Sequence, residues 1–260
     1  MKSIWNGVIG FGLVNIPIKM YSATETAKLD LDMLDKSDNS NIKFKRVNEK
    51  TGKEVKWENI IKGYLKNDEY IILEDEDFET ALPEKSKVLS IEQFVKESDI
   101  DTVYFENPYF LEPQKYGENA YKLLLKSLND TEMAGVGTFI LRKREVLGVI
   151  RPYQEEILLF NRMRFHDELR DYKDLKLPPK KAPKPSELKM AKALIEQLSQ
   201  EFDPTAFKDT YTSELMKIIN KKAKGQNVKS KKATKPKKGK VIDLMAQLKA
   251  SLEETKSKKA

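Results

Sequence analysis

The sequence predicts a mainly β protein with some α: a strand-rich core, a helical C-terminal region and a basic tail. Three observations carry this reading. Ile16, Ile18 and Met20 alternate with Pro17, Lys19 and Tyr21, the period-2 pattern of a strand with one buried face. Two further runs of apolar residues, Val136 to Leu141 and Val146 to Ile150, flank the short polar stretch Arg142-Lys143-Arg144-Glu145, as the arms of a hairpin do. Only one segment of the first 175 residues has clear helical spacing, with Tyr116, Ala120, Leu123, Leu124 and Leu128 on one face.

The elements follow in order. Gly7, Gly10 and Gly12 interrupt the first apolar stretch, as bulges or sharp corners do. Pro17 puts its strand at an edge or near an end, because proline cannot donate to the ladder. Ile42 to Val47 and Glu54 to Trp57 flank Asn48-Glu49-Lys50-Thr51-Gly52, a hairpin loop with glycine where a positive φ is favoured. Tyr70 to Leu73, Val88 to Ile91 and Ile157 to Phe165 read as strands. The acids of Glu74 to Glu79 suit the start of a short helix. Four prolines within residues 177–185 mark an extended connector. Ser186 then reads as an N-cap, with Leu188, Ala191, Leu194, Ile195, Leu198 and Phe202 on one helical face. Leu215, Met216, Ile218 and Ile219 suggest a second short helix, and Val241, Leu244, Met245, Leu248 and Leu252 a terminal amphipathic one. The expected division is a core at 1–175, with a hairpin arm near 40–62. A linker at 176–185, a helical region at 186–223, a lysine-rich disordered tail at 224–240 and a terminal helix at 241–260 follow.

The net charge of +7 is a property of the tail. Eleven lysines and no acids lie between Lys217 and Lys240, leaving 37 cations against 41 acids, or −4, elsewhere. Tracts of this kind are solvated and bind nucleic acid. There is no cysteine, so neither a disulfide framework nor a thiolate metal site can form. No apolar run approaches the roughly 20 residues that span a bilayer, and residues 1–7 lack the apolar stretch of a secretory signal. A cytoplasmic, nucleoid-associated protein with no membrane partner is expected.

Little in the chain points to catalysis. His166 is the single histidine, between Phe165 and Asp167, and reads as a strand-end residue with a local hydrogen bond. Gly7, Gly10 and Gly12 do not match a phosphate-binding loop. Asp30, Asp32, Asp35 and Asp38 lack the glycine and terminal glutamate of a calcium loop. No catalytic residue, metal site or cofactor is expected.

Basic residues on the predicted strands are more informative. Lys43 and Lys45 share one face and Arg46 the other, with Lys50, Lys53 and Lys56 along the same hairpin. Arg142, Lys143 and Arg144 sit at the second hairpin, and Arg162 and Arg164 on one face of the last strand. With Lys229, Lys231, Lys232, Lys235, Lys237 and Lys238 of the tail, these are the candidate DNA-binding residues. Zinc-finger, basic-zipper and helix-turn-helix patterns are missing, so contact through phosphates is expected, with strong salt dependence.

The opening segment Ser3-Ile4-Trp5-Asn6-Gly7-Val8-Ile9-Gly10-Phe11-Gly12-Leu13-Val14-Asn15-Ile16-Pro17 and its continuation to Glu25 resemble the start of the bacterial Ku proteins. So do Ile60-Ile61-Lys62-Gly63-Tyr64, Ile100 to Phe105, Tyr109-Phe110-Leu111-Glu112-Pro113, Ala120 to Leu124, Lys184 to Ala191 and Phe202-Asp203-Pro204, in the same order over about residues 1–222. The resemblance implies a β-barrel core with a bridging hairpin arm, closed into a ring as a homodimer that threads onto double-stranded DNA ends. It implies a non-enzymatic role in non-homologous end joining and recruitment of a multifunctional ATP-dependent DNA ligase, with Ser186 to Lys222 matching the ligase-contact region. By position, Lys43 to Lys56 match the bridge over DNA. The Cys-x-x-Cys-Gly turn of some relatives is replaced here by Asn48 to Gly52, which removes that form of metal site. The reading from residues alone leaves a second possibility, a nucleoid-associated protein that binds any duplex through its tail.

Overall fold

The computed structural model describes residues 1–25, 29–82, 87–226, 248–251 and 253. The chain divides into two compact units, Met1–Asp171 and Tyr172–Ala260. The first contains strands β1 (Trp5–Phe11), β2 (Val14–Ser22), β3 (Lys62–Lys66), β4 (Glu69–Leu73), β5 (Val88–Lys96), β6 (Phe105–Pro113), β7 (Met133–Leu141), β8 (Arg144–Tyr153) and β9 (Ile157–Met163), with helices α1 (Asp75–Thr80) and α2 (Glu118–Thr131).

Seven strands close into a barrel in the order β1-β2-β6-β9-β8-β7-β5. The seam is the one parallel pairing, where Val8, Ile9 and Gly10 meet Val88, Leu89 and Ser90. Closure removes every free edge from the core sheet. The barrel is filled by side chains of alternate residues: Ile16, Ile18 and Met20 of β2 are fully buried, as are Ile9, Leu111, Ile150, Leu158 and Phe160. The period-2 reading of β2 thus marks its inward face. Pro17 pairs with Val8, but the ladder to β6 begins only at Ile18, so the missing N–H falls at that ladder's end.

The glycines of β1 are not bulges. β1 pairs with β2 residue by residue from Trp5↔Met20 to Phe11↔Val14. Gly12 belongs to the following turn, at φ +56, and a Cβ on Gly7 would lie 2.4 Å from the Lys87 carbonyl oxygen. Close approach at the seam, rather than a kink, therefore requires glycine there. The register shifts occur elsewhere, at Ile91/Gln93 and Phe105/Pro108.

Helix α2 packs Tyr121, Leu124, Leu125 and Leu128 onto the barrel core. The expected face was one position off: Leu123 is 70% exposed, and Tyr116 lies before the helix at φ +71. Tyr121 supplies the reason. Its hydroxyl donates to the Leu111 carbonyl (2.7 Å) and accepts from the Leu158 N–H (2.7 Å), tying the helix to β6 and β9. Burial pushes this phenol up to about 12. Tyr121→Phe is expected to cost about 1–3 kcal/mol, because two buried backbone groups lose a partner. Ionisation of a phenol buried in this way favours the unfolded chain, so its contribution is complete below about pH 10 and declines as pH rises towards 12. Urea titrations across that range should show the decline in the parent chain and a smaller one in Tyr121→Phe; identical slopes would contradict the assignment.

The second unit has helices α3 (Pro185–Leu198) and α4 (Thr210–Ala223). Lys184, not Ser186, is the N-cap of α3, because Pro185 takes the first helical position, where its missing N–H costs nothing. The helix stops at Leu198, which leaves Phe202 beyond it, stacked on Phe207 at 6.0 Å. Asp209 caps α4 by accepting from the Thr212 N–H at 3.0 Å, and α4 is longer than the short helix expected. No residue of α3 or α4 is buried. Of the predicted terminal helix at 241–260, residues 248–251 and 253 are described and helical, and residues 241–247, 252 and 254–260 lie outside the described residues.

Candidate nucleic-acid interface

Between β2 and β5 the chain leaves the barrel as a long arm. From residue 30 to 72 only Val55 is less than exposed. The arm is pinned by a few backbone pairs. Leu34 bridges Asn41; Asp35 accepts from the Ser37 hydroxyl and N–H, and Asp38 from the Ser40 N–H, which lowers both carboxyls from their usual range. Val47 bridges Glu54, with Asn48 N–H to the Lys53 carbonyl (2.9 Å) and Val55 N–H to the Arg46 carbonyl (2.8 Å). Asn48 Oδ1 accepts from the N–H of Lys50 and Thr51, and Gly52 at φ +67 closes the turn. The hairpin of β3 and β4 follows, turning at Asn67 and Asp68, both at positive φ.

The expected two-stranded ribbon at Ile42 to Val47 and Glu54 to Trp57 is therefore narrower than its pattern suggested. The turn forms as read, but the flanking strands do not: 42–46 carry no ladder, and the pairing is limited to the Val47–Glu54 bridge. Alternation selects a strand when one face is buried. Here neither is: Phe44 is 81% and Trp57 72% exposed.

Residues 40–62 hold seven cations and three carboxylates, a net +4. Ion pairing sorts them. Lys45 Nζ lies 2.7 Å from Glu54 Oε2, a hydrogen bond that raises the lysine's pKa. Lys56 is 3.8 Å from Glu58, and the Arg46 guanidinium stacks 4.6 Å over the Trp57 ring. Lys43, Lys50 and Lys53 have no ion-pair partner among the described residues and are exposed.

The second basic group sits at the β7–β8 turn. Arg142 and Lys143 are its two central residues, at φ +52 and +62, and Arg144 already starts β8. This is the backbone form that fits hairpin twist, occupied by two side chains that adopt it at a cost. Lys143 reaches Asp75 (3.6 Å) and Glu79 (3.8 Å) of α1, whereas Arg142 and Arg144 are exposed and unpaired among the described residues.

The third group converges on one acid. Glu106 Oε1 is 2.8 Å from Arg164 Nη2, and Oε2 is 2.8 Å from Arg162 Nε, the latter a charge contact without hydrogen-bond alignment. Two guanidiniums thus share one carboxylate and retain a net +1. Arg151 is engaged by Glu97 (3.1 Å) and Asn161 (3.0 Å), and His166 Nδ1 by the Tyr104 hydroxyl (3.0 Å). Sequence spacing could not reveal these partners, because Glu106 and Arg162 are neighbours only through the β6–β9 ladder. Lys62, whose ammonium lies 4.1 Å over the Phe78 ring and ties the arm to α1, was also missed. Lys229, Lys231, Lys232, Lys235, Lys237 and Lys238 lie outside the described residues.

Among the described residues, the unpaired cations lie on exposed surface, an arrangement that suits a polyanion. Exposed ammoniums and guanidiniums can neutralise phosphates. Among the described residues of the barrel unit the longer helix, α2, is occupied with the core. No helix among the described residues is long and apolar enough to cross a membrane.

Comparison with known proteins agrees with this geometry. Residues 10–190 match the family model described as the Ku70/Ku80 beta-barrel domain. The chain is 39% identical to the Non-homologous end joining protein Ku of Opitutus terrae, covering 98% of this chain and 92% of that one. It is 36% identical to the protein of that name from Archaeoglobus fulgidus, covering 98% and 100%, and 38% identical to the one from Cupriavidus necator, covering 96% and 77%. The seven-stranded barrel, the exposed arm that leaves it and the near full-length likeness to these relatives agree that this chain belongs to the Ku family.

Proposed function

We propose that the chain binds double-stranded DNA ends without sequence preference and acts in non-homologous end joining, closing a ring with a second copy through which the duplex threads. The observation that carries this reading is the sorting of the arm's charges, which leaves Lys43, Lys50 and Lys53 unpaired on a segment with no core of its own. Arg142 and Arg144 would add phosphate contacts from the barrel, and the tail lysines further nonspecific affinity. Lys45, Lys56, Lys143, Arg162 and Arg164 contribute less, because carboxylates already hold them. The same arm exposes large apolar side chains, among them Phe44, Trp57, Ile61 and Tyr64, of the kind that another protein surface covers. A second copy of the arm supplies one in the ring. The relatives' name supports the end-joining role. The reading includes no catalytic step and places the chain on DNA in the cytoplasm. It assigns residues 186–223 to contact with a multifunctional ATP-dependent DNA ligase, for which the exposed faces of α3 and α4 leave room.

Topology tests the proposal. Binding is measured on a linear duplex and on a covalently closed circle of the same sequence at moderate salt. Threading predicts retention on the linear form that is lost when both ends are blocked by bulky groups, and weak, salt-labile binding to the circle. Equal affinity for the two forms would overturn threading and favour a nucleoid-associated protein acting through its tail.

A further inference from the structure

A groove on the outside of the barrel has the opposite character to the arm. It offers about 930 Å³ of open space beside the first turns of α2. Its floor is Tyr121 and Leu125, both buried in the core, and its walls include the rings of Tyr21, Phe110 and Tyr153. Phe110 and Tyr153 lean on each other with ring centres 6.0 Å apart. Glu112, Glu118 and Glu156 stand around it, exposed, against a single lining lysine, Lys122. These four side chains sum to −2, and the amino terminus of Met1, which also lines the groove, leaves −1. Glu112 is fixed in place by the Tyr21 hydroxyl, which donates to its Oε2 at 2.6 Å.

Strand β8 separates this groove from the basic turn. It starts at Arg144, next to the Arg142–Lys143 turn, and ends at Tyr153, next to the Gln154–Glu155 turn that leads to Glu156. Nine residue steps place the two ends about 30 Å apart. An acidic rim repels phosphate, so nucleic acid is a poor occupant. A closed barrel has no free edge to pair with an added strand. What remains are aromatic faces that accept an aliphatic side chain or a cation, and carboxylates that accept ammonium or guanidinium groups.

We propose that this groove is a docking site for a cationic, aliphatic peptide segment of a partner protein, one that alternates lysine or arginine with leucine-like residues. The aliphatic side chain lies against the outer faces of the Phe110 and Tyr153 rings. The flanking cations reach Glu112 and Glu156. Because the groove lies at the other end of β8 from Arg142 and Arg144, a partner held here does not compete with phosphates at that turn. The assignment is independent of end binding, since its readout is a peptide.

Fluorescence anisotropy of the full chain with short labelled peptides tests it. The probes are a lysine–leucine alternation, the same peptide with glutamate for lysine, and the same with glycine for leucine. The first is expected to bind, and each of the other two to bind at least about tenfold more weakly. The variant Glu112→Lys with Glu156→Lys should weaken the first peptide by at least about tenfold, and Tyr153→Ala should weaken it while preserving its charge preference. Both variants should keep the parent's far-ultraviolet circular dichroism, and Tyr153→Ala should keep its affinity for linear duplex. Failure of the lysine–leucine peptide to bind, equal binding of the glycine or glutamate versions, or indifference to the charge reversal would overturn the site. A synthetic peptide of residues 236–245 that bound as tightly as the probe would overturn the separate partner in favour of the chain's own tail.

Discussion

Replacing Lys43, Lys50 and Lys53 together with alanine is expected to lower affinity for a linear duplex on the order of a hundredfold at about 0.15 M salt. Each phosphate contact adds about 0.9 to the slope of log K against log salt, so three lost contacts flatten the slope by about 2.7. If two copies surround the duplex, the loss per ring is larger. The comparison that gives the experiment its force is Lys45→Ala. That ammonium already spends its charge on Glu54 at 2.7 Å, and its removal leaves an uncompensated carboxylate beside the duplex rather than a lost phosphate contact. Its effect on the slope should be well below that of Lys43→Ala. Both variants should keep the parent's thermal midpoint, because none of these side chains touches the core. A triple variant with an unchanged salt slope would show that the arm does not face DNA. A Lys45→Ala slope change equal to that of Lys43→Ala would show that ion pairing does not sort the cations.

How far the sequence anticipates this arm depends on whether a pattern has a core behind it. The alternation at Ile16, Ile18 and Met20 reads correctly because the barrel interior enforces it; the three are fully buried. The same alternation at Lys43 and Lys45 has no core to enforce it, and no strand forms there; the Val47–Glu54 bridge and the Lys45–Glu54 ion pair pin the segment locally. The turn between them is legible all the same, because Asn48 and Gly52 act locally. Glycine shows the other limit. Gly7 looks like a break in a strand when only its neighbours are known, but it is required by Lys87, across a parallel seam that no local pattern announces. The β7–β8 hairpin was legible as a hairpin, though not its two-residue turn, since Arg142 and Lys143 replace the asparagine and glycine that usually mark positive φ. The candidate cations were all visible as residues. Which of them are free was not, because Glu106, Asp75 and Glu79 reach their arginines and lysine only through the fold.

Phe160→Ala is expected to lower the free energy of unfolding by about 3–5 kcal/mol, a large part of the about 5–15 kcal/mol that domains of this kind possess. Phe160 is fully buried and meets Phe139 edge-on at 5.2 Å. Phe139 in turn meets Trp5 edge-on at 5.0 Å, so the ring links β9 to β7 and β1 across the barrel. Gly148, on the neighbouring strand β8, is the space this ring occupies: a Cβ there would stand 2.1 Å from Phe160 Cζ. Gly148→Ala should therefore destabilise by overpacking, by about 1–3 kcal/mol or more, since Phe139 stands behind the ring. The two changes should not add. In the double variant the new methyl enters the void left by the ring, and the coupling should exceed about 1 kcal/mol. Recovery stays incomplete, because the same methyl also lies 2.7 Å from the Asn161 carbonyl oxygen, which cannot swing aside as a ring can. Urea titrations of the parent, both single variants and the double variant measure all four corners of this cycle, and strict additivity would refute the packing account. The barrel also holds the arm at Ser22 and Val88 and presents Arg142 and Arg144 at the end of β8. Below its lowered midpoint, Phe160→Ala should thus bind linear duplex like the parent. On warming, barrel signal and end-dependent DNA binding should be lost together, because the arm has no core with which to persist alone.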